Sequence, residues 1–305
     1  MKKYMVLPSN SDLNRGDQAL IWKTIDTAEK AGFSGEFYMI ANDVRHTKQS
    51  QSRGIKVASP ILKHPSRKFK KNDNSKYSIK LKIRWGLVAF IDLIISLLIL
   101  SKVTRKIAVN LLSKNDRETI KTIKECDACF VKGGGFIHSY GKLTESYTIY
   151  YSLYHIALAQ SLGKPVFIMP NSFGPFKGFA VEKMVKNVLS KCYLVTVRES
   201  ISSEVLDKIN VKHSIFPDLG FFLEKENRNA NAITKLREER EGYKLVGITA
   251  RPYRFPSCEN PEEKYEKYIN DLVLFSKWLY TNKYLPVFVD HTLSNNTHES
   301  DRAAI

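Results

Sequence analysis

The chain is short of acidic residues, and the cations that outnumber them are unevenly distributed. Its 305 residues contain 31 Asp and Glu against 48 Lys and Arg, which gives a formal charge of +17. This imbalance favours anionic partners: phosphorylated substrates, a membrane surface or nucleic acid. The basic residues are concentrated in one segment and do not alternate with aromatics along a strand. We therefore expect no nucleic acid partner.

Cysteine is scarce, and the motifs of common metal and nucleotide sites are missing. Cys126 and Cys129 form one C-x-x-C, but Cys192 and Cys258 stand alone, so a second pair of ligands is lacking. The sequence has no D-x-D, no H-E-x-x-H and no P-loop. We therefore expect free thiols in a reducing compartment, no bound metal and no cofactor.

Long hydrophobic segments are almost absent as well. Met1-Lys2-Lys3 leads directly into a strand pattern without a signal-peptide core, so we expect a cytoplasmic protein. The apolar run 85–100 has sixteen residues, includes Asp92, and is shorter than the ~20 residues needed to span a bilayer. Because it follows the basic stretch 63–84, it predicts a peripheral contact of residues 63–100 with the inner face of the plasma membrane. The alternative is a core or interface helix beside a solvated basic loop.

Strand and helix patterns alternate along most of the chain, which favours an α/β fold with a parallel, doubly wound sheet. We predict an N-terminal Rossmann-like domain at 1–225 with an insertion at 62–112. A polar linker at 226–242, with or without a surface helix, leads to a second Rossmann-like domain at 243–305. Only two strands are visible in that second domain, so we expect it to be incomplete. Strands are predicted at 4–7, 36–41, 56–59, 127–132, 165–170, 194–198, 214–216, 244–249 and 285–289.

Two segments that contain glycine follow apolar runs and predict ligand-binding turns. Asn14-Arg15-Gly16-Asp17 comes after the strand 4–7 and opens a helix at 19–31, and Gly133-Gly134-Gly135 comes after the apolar run 128–131. At the start of a helix, free N–H groups and the helix dipole favour an anion or a polar ligand. Glycine allows the backbone to approach such a ligand closely. The tyrosine-rich helix 146–162, with His155, is interpreted as core packing.

Further motifs follow in a fixed order and carry a family resemblance. The series is Asn14-x-Gly16-Asp17-x-Ala19-Leu20, Gly133-Gly134-Gly135, Gly163-Lys164-Pro165-Val166, Asn171-Ser172-Phe173-Gly174-Pro175, Val197-Arg198-Glu199-Ser200-x-Ser202, Pro217-Asp218, Thr249-Ala250-Arg251-Pro252, His291 and Asp301-Arg302. The order of these motifs resembles that of the polysaccharide pyruvyl transferase family. The resemblance implies a GT-B-like architecture of two Rossmann-like domains with the site between them. It also implies transfer of pyruvate from phosphoenolpyruvate to two sugar hydroxyls as a ketal, in exopolysaccharide, capsule or cell-wall glycan synthesis.

Two departures from the family pattern keep other functions open. The family usually continues beyond a motif like Asp301-Arg302, and many relatives have a Ser-Leu-Arg-like string where this chain has Thr249-Ala250-Arg251-Pro252. One alternative is a GT-B glycosyltransferase with a nucleotide-sugar donor. The other is a truncated homologue that binds without catalysing. The acceptor is expected to be a sugar or a lipid-linked oligosaccharide.

The donor side of the predicted chemistry needs cations and an acid. Phosphoenolpyruvate carries a phosphate and a planar carboxylate, which arginine binds well. Arg198 and Arg251 follow strands, where ligands of open α/β sheets bind, and we predict that both hold the donor. For each, the alternative is a structural ion pair. His291 matches the histidine implied by the resemblance and is predicted to be the general acid or a phosphate ligand.

The acceptor side is predicted from the two glycine-containing segments. Asn14 and Gly16 are expected to position the sugar hydroxyls, and Asp17 is expected to act as the base, although an aspartate at a helix start needs no function. Gly133, Gly134 and Gly135 are expected to bind substrate through the backbone, and His138 to contact the sugar. Asp218 is expected to cap or brace the cleft between the two domains, without a catalytic role.

Overall fold

The computed structural model describes residues 1–8, 11–41, 43–62, 79–142, 144–224, 230–253, 255, 258–293 and 300–305. These residues form two compact units. The first unit contains Met1–Asp12 and Asp17–Leu223, and the second contains Leu13–Gly16 and Glu224–Ile305.

The first unit is built on an eight-stranded sheet in which every paired neighbour is parallel. The strand order is β3-β2-β1-β4-β6-β7-β8, and β5 adds to β6. The predicted α/β class with a parallel sheet is therefore confirmed. The strands are β1 (Lys3–Leu7), β2 (Glu36–Ile40), β3 (Lys56–Ala58), β4 (Ala128–Val131), β5 (Gly134–Tyr140), β6 (Val166–Lys177), β7 (Leu194–Val197) and β8 (Ser214–Ile215).

Apolar residues cover both faces of this sheet, which explains why its strands read as continuous apolar runs. In β1, Tyr4 and Val6 belong to one buried cluster, whereas Met5 and Leu7 belong to another. Helices supply the covering side chains. They are α1 (Arg15–Lys30), α2 (Lys48–Ser52), α3 (Ile79–Leu100), α4 (Arg105–Ala108), α5 (Lys114–Glu125), α6 (Glu145–Ser161), α7 (Val181–Leu189) and α8 (Ser200–Lys208), with short 3-10 turns at Val44–His46, Val109–Leu111 and Leu219–Phe222.

The second glycine-rich segment is not the turn that the sequence predicts. Gly134 and Gly135 begin β5, which runs parallel to the second half of β6, while β4 pairs with the first half of β6. The predicted strand 165–170 therefore continues to Lys177. The burial of Ile137, Phe173 and Phe176 accounts for this extension, because these side chains join the main core cluster.

The tyrosine-rich helix is α6, and its prediction as core packing is confirmed. Tyr154 is fully buried. His155 is also buried, and its Nε2 accepts a hydrogen bond of 3.2 Å from the backbone N–H of Ile61. Burial lowers the pKa of His155 to about 4. Cys126 is a buried free thiol, and burial raises its pKa to about 12.

Helix α3 lies within the predicted insertion, and the basic residues at 63–78 are outside the described part of the chain. The helix has 22 residues, and its most apolar 18-residue window has a mean hydropathy of 2.2, so its length and composition would allow it to cross a membrane. The apolar run 85–100 forms the larger part of this helix, which begins at Ile79 and therefore also contains Lys80, Lys82 and Arg84. Only 11% of its most apolar window is buried in the protein.

The second unit contains a two-stranded parallel sheet of β9 (Lys244–Ile248) and β10 (Tyr284–Phe288). Helix α10 (Pro261–Thr281) connects these strands, as the sequence predicts. Helix α9 (Ala230–Glu239) lies in the polar stretch that was interpreted as a linker with or without a surface helix. The helix start predicted at Ser300 is a short 3-10 turn, Asp301–Ala303.

The burial of His155 predicts a loss of stability in acid. The unfolded chain binds a proton at this residue below pH ~6.5, whereas the folded chain binds it only near pH 4. Stability from this source is complete above pH ~6.5 and is lost as pH falls, at about 1.4 kcal/mol per pH unit and on the order of 3 kcal/mol in total.

Urea unfolding at pH 7, 5.5 and 4 checks this expectation, with His155→Gln as the comparison. Glutamine keeps an acceptor for Ile61 N–H and cannot titrate in this range. The variant is expected to lose less stability than the wild type between pH 7 and pH 4. Equal losses would contradict the role assigned to His155.

Candidate active site

The first unit has one point at which the strand order reverses, and charged residues meet there. From β1 the chain proceeds to β2 and β3 on one side, and β4 pairs on the other side of β1. Ligands of open α/β sheets bind outside the carboxyl ends of the strands at such a point. Lys132 directly follows β4, and its backbone N–H donates to Leu7 O at the end of β1 (3.3 Å).

The side chain of Lys132 forms a largely buried ion pair with Asp17. Lys132 Nζ lies 2.6 Å from Asp17 Oδ1, and the two side chains are 6% and 18% exposed. Lys132 Nζ also lies 5.2 Å from the centre of the Phe136 ring. Asp17 is in the first turn of α1, where its negative charge also suits the helix dipole. Sequence reasoning missed Lys132, although a lysine at the end of a buried strand and before three glycines was a usable signal.

The three glycines keep side chains away from this point. A Cβ built on Gly134, whose φ is +148°, would lie 3.4 Å from Lys132 Nζ. A Cβ on Gly135 would lie 3.4 Å from Arg198 Nη2. The backbone of residues 134 and 135 therefore passes close to both cations, and the predicted need for close backbone approach has a concrete cause here.

Arg198 follows β7, as predicted, and most of its guanidinium is already bound. Its Nε donates to Ser172 Oγ (2.6 Å) and lies 3.3 Å from Glu199 Oε2, and its Nη1 donates to Asp218 Oδ2 (2.6 Å). Asp218 Oδ1 also accepts a hydrogen bond of 2.7 Å from Gly220 N–H and so caps the 3-10 turn 219–222. Among the described residues, Nη2 of Arg198 has no hydrogen-bond acceptor. That atom is the one available to a ligand.

Asn171 connects the lysine to β6. It is fully buried, and its Nδ2 donates to Lys132 O and to Met169 O, each at 2.8 Å. Its Oδ1 is buried without a hydrogen-bond partner in the described structure. The same atom lies 3.8 Å from where a Cβ on Gly134 would be. Asn171 therefore fixes the backbone at Lys132 and leaves one acceptor unsatisfied beside the glycines.

Carboxylates outnumber cations in this cluster. Lys132 and Arg198 are accompanied by Asp17, Glu199 and Asp218. An incoming anion must therefore meet a cation that already has carboxylate partners. The cluster can combine anion binding with general base catalysis.

The second unit brings together three of the predicted site residues. Asn14 forms an antiparallel bridge with Thr292, and Arg15 N–H donates to His291 O (3.1 Å). A Cβ on Gly16 would lie only 2.8 Å from His291 Nε2 and 3.5 Å from Asn14 Oδ1. A side chain at position 16 would therefore displace the imidazole packed against it. In this way the motif beginning at Asn14 contacts the loop after β10.

Asp301 fixes the loop that carries the histidine. Its buried carboxylate accepts hydrogen bonds through Oδ2 from the backbone N–H groups of His291 (2.8 Å) and Thr292 (2.7 Å). The imidazole itself remains exposed. Asp301 was part of a recognised motif but was not predicted to belong to the site.

Two other predicted residues have few contacts. Arg251 lies three residues after β9, and its exposed side chain has no hydrogen bond or ion pair with any described residue; its backbone N–H donates to Tyr268 Oη (3.3 Å). His138 is exposed on β5, and its ring lies 5.5 Å from that of Tyr140. No group of three or more His, Cys, Asp or Glu in the described ranges could hold a metal.

The fold and this site define a Rossmann-like α/β protein with charged groups at the carboxyl ends of its strands. The sequence model of the polysaccharide pyruvyl transferase family matches residues 14–305, nearly the whole chain. The chain therefore belongs to this family, which confirms the resemblance and implies a polysaccharide acceptor. No curated protein sequence matches the chain significantly.

The Lys132–Asp17 pair is expected to contribute to stability as a unit. Lys132→Met or Asp17→Asn leaves one nearly buried charge without its partner, and each should destabilise by about 3 kcal/mol. The double variant should lose about 2 kcal/mol less than the sum of the single losses. Urea unfolding of the four proteins measures this coupling.

The matched control is Lys3–Glu125, a pair at 2.7 Å whose side chains are 32% and 41% exposed. Its coupling should be much weaker than that of the buried pair, because water screens it. Equal coupling for the two pairs would contradict the role of burial.

The contact between Gly16 and His291 predicts that Gly16→Ala displaces the imidazole. The added methyl group cannot occupy a position 2.8 Å from Nε2, so the ring must move. The NMR signal of the His291 Cε1–H group should shift. Gly247→Ala is the control, because a Cβ there meets nothing within 4 Å. An unchanged His291 signal in Gly16→Ala would contradict the contact.

Proposed function

We propose that the chain transfers a pyruvyl group from phosphoenolpyruvate to two hydroxyls of a sugar and releases phosphate. Membership of the polysaccharide pyruvyl transferase family supports the reaction class. The observation that carries the proposal is the cluster at the carboxyl ends of the strands. There the partly exposed Arg198 and the Lys132–Asp17 pair lie close to the glycine backbone at residues 134 and 135.

Arg198 is assigned to the donor. Its side chain is 31% exposed, and its free Nη2 can donate to one oxygen of a phosphate or carboxylate. Because Nε and Nη1 already donate to Ser172 and Asp218, Arg198 binds the donor through Nη2 and not in a bidentate manner. Arg251, with no described side-chain partner, is proposed as a second donor ligand.

Asp17 is assigned as the base, and Lys132 as the residue that positions it. Lys132 is too deeply buried to meet a substrate freely, and its Nζ holds one oxygen of Asp17. A carboxylate in this position can take the proton of a sugar hydroxyl, and we propose that role for Asp17. We propose that Asn14, Gly16, His138 and the glycines 133–135 line the acceptor.

The proposed reaction consumes one phosphoenolpyruvate and two sugar hydroxyls and yields one ketal and one phosphate. His291 gives a proton to the methylene carbon of phosphoenolpyruvate, which becomes the methyl group and leaves an oxocarbenium-like centre at C2. One sugar oxygen bonds to C2 and its proton goes to Asp17. The bond from C2 to the phosphate oxygen then breaks, and the second sugar oxygen bonds to C2 to close the ketal. Asp17 then passes the first hydroxyl proton to the departing phosphate, and the proton of the second hydroxyl restores His291.

We further propose that the reaction takes place in the cytoplasm, on a sugar of an exopolysaccharide, capsule or cell-wall glycan precursor. A lipid-linked precursor would be presented at the inner face of the plasma membrane. The large exposed part of α3 supports a peripheral contact there.

Release of phosphate from phosphoenolpyruvate in the presence of a glycan acceptor tests the reaction. Arg198→Ala and His291→Gln should each lower kcat/KM by about 10- to 100-fold or more, as expected for a lost charge-assisted hydrogen bond or a lost acid. Circular dichroism and thermal unfolding should show that both variants remain folded.

Two matched variants serve as controls. Arg117→Ala removes an exposed arginine from α5. His213→Gln removes a histidine that directly precedes β8 and therefore lies at the amino end of that strand, away from the carboxyl ends where the site is. Both should keep wild-type turnover. Release of a nucleoside diphosphate from a nucleotide sugar would favour a glycosyltransferase, and binding without turnover would favour a non-catalytic homologue; either result overturns the proposal.

A further inference from the structure

Helix α3 carries a continuous apolar stripe on its outer side. Five large side chains recur at spacings of three and four residues and are 43–68% exposed; they are Ile83, Leu87, Phe90, Ile94 and Leu97. Such spacing places them on one face of a helix. Monomeric soluble proteins rarely expose an apolar face of this length, which marks it as an interaction surface.

The stripe continues beyond the helix. Val103, Ile107 and Leu111, in and around α4, are 87%, 74% and 65% exposed. We call the five stripe residues and these three the apolar ledge. The segment between α3 and α4 is anchored to α6 by Arg105, because its Nη2 donates to Ser161 O (3.1 Å) and Ser161 Oγ (2.9 Å) at the end of α6.

The opposite side of α3 is packed against the protein. Ile99 is fully buried, and Ser96 Oγ makes a 2.7 Å hydrogen bond with Tyr150 Oη of α6. Asp92 lies on this packed side too, since burial and then the Asp92 carboxylate raise the pKa of Tyr147 on α6. Protein therefore covers one side of the helix, and the only carboxylate within it faces that protein.

Exposed cations lie near both ends of α3. Lys80 and Arg84 are exposed in the first turns of α3, and Lys102 and Lys106 are exposed just after it. Lysine and arginine beside an apolar helical face match the headgroup level of an anionic bilayer. A second copy of this chain would place these cations against one another, which disfavours self-association through this face.

We propose that the apolar ledge docks in the plane of an anionic lipid bilayer, with α3 lying along the surface and not crossing it. The contacts between α3 and α6 explain this orientation. Lipid would have to surround a helix that spans the bilayer, but Ser96 and Ile99 are covered by the protein. Apolar side chains supply the burial, and the four cations supply attraction to anionic lipid. This docking does not depend on pyruvyl transfer, so the two can fail separately.

Vesicle sedimentation of the full chain tests the proposal. Phosphatidylcholine vesicles with about 30% phosphatidylglycerol should bind the protein at least about tenfold more tightly than pure phosphatidylcholine. Raising the salt from about 0.05 M to about 0.5 M should weaken binding. Leu87→Glu and Phe90→Glu should each weaken it by about tenfold, because each puts a carboxylate into the apolar layer. Lys80→Glu should weaken binding to the anionic vesicles alone.

Phe179→Glu is the matched control, since Phe179 is 89% exposed and lies outside the ledge. It should bind vesicles like the wild type, and thermal unfolding should show that all variants remain folded. Carbonate washing of cell membranes should release the wild-type protein. Retention after the wash would mean a spanning helix and would overturn in-plane docking. Self-association that disappears in Phe90→Glu, with no vesicle binding, would also overturn the proposal.

Discussion

Strand β6 holds the candidate site together, because three neighbouring strands take their register from it. Its first residues pair with β4 and β7, and from Asn171 onward it pairs with β5. The backbone N–H of Arg198 donates to Asn171 O (3.1 Å), and Asn171 Nδ2 donates to Lys132 O. One buried strand thus sets the positions of a lysine and an arginine from two other strands. A shift in the register of β6 would separate them.

The parallel sheet could be predicted from the sequence, since strands covered on both faces read as short apolar runs between helices. Strand β5 could not, because Gly134 and Gly135 are typical of turns and their pairing partner lies on β6. The glycine pattern correctly indicates that other groups pass close to the backbone here, but it does not identify those groups. In the structure they are the side chains of Lys132 and Arg198.

The predicted site residues divide according to the kind of information they require. Arg198 was predictable, because its position after a strand is a local feature. Lys132 was missed, because a lysine reads as a surface residue unless its partner is known, and Asp17 is 115 residues away. His291 was found through the family resemblance, but the reason for glycine at position 16 required the position of its imidazole. Long-range contacts of this kind carry no signal in a single sequence.

Helix α3 belongs to the connection between β3 and β4, and the described residues of this connection, 59–62 and 79–127, contribute no strand to the sheet. The hydrogen bonds of β1, β2 and β4 form without it, and it is held to the unit through the side of α6 that it covers. A segment attached in this way is modular. Protein engineers can exchange it for a shorter polar connection, provided that the covered side of α6 stays buried, and leave the strand order intact. The exposed helix and the charged residues at the carboxyl ends of the strands can thus be altered independently of each other.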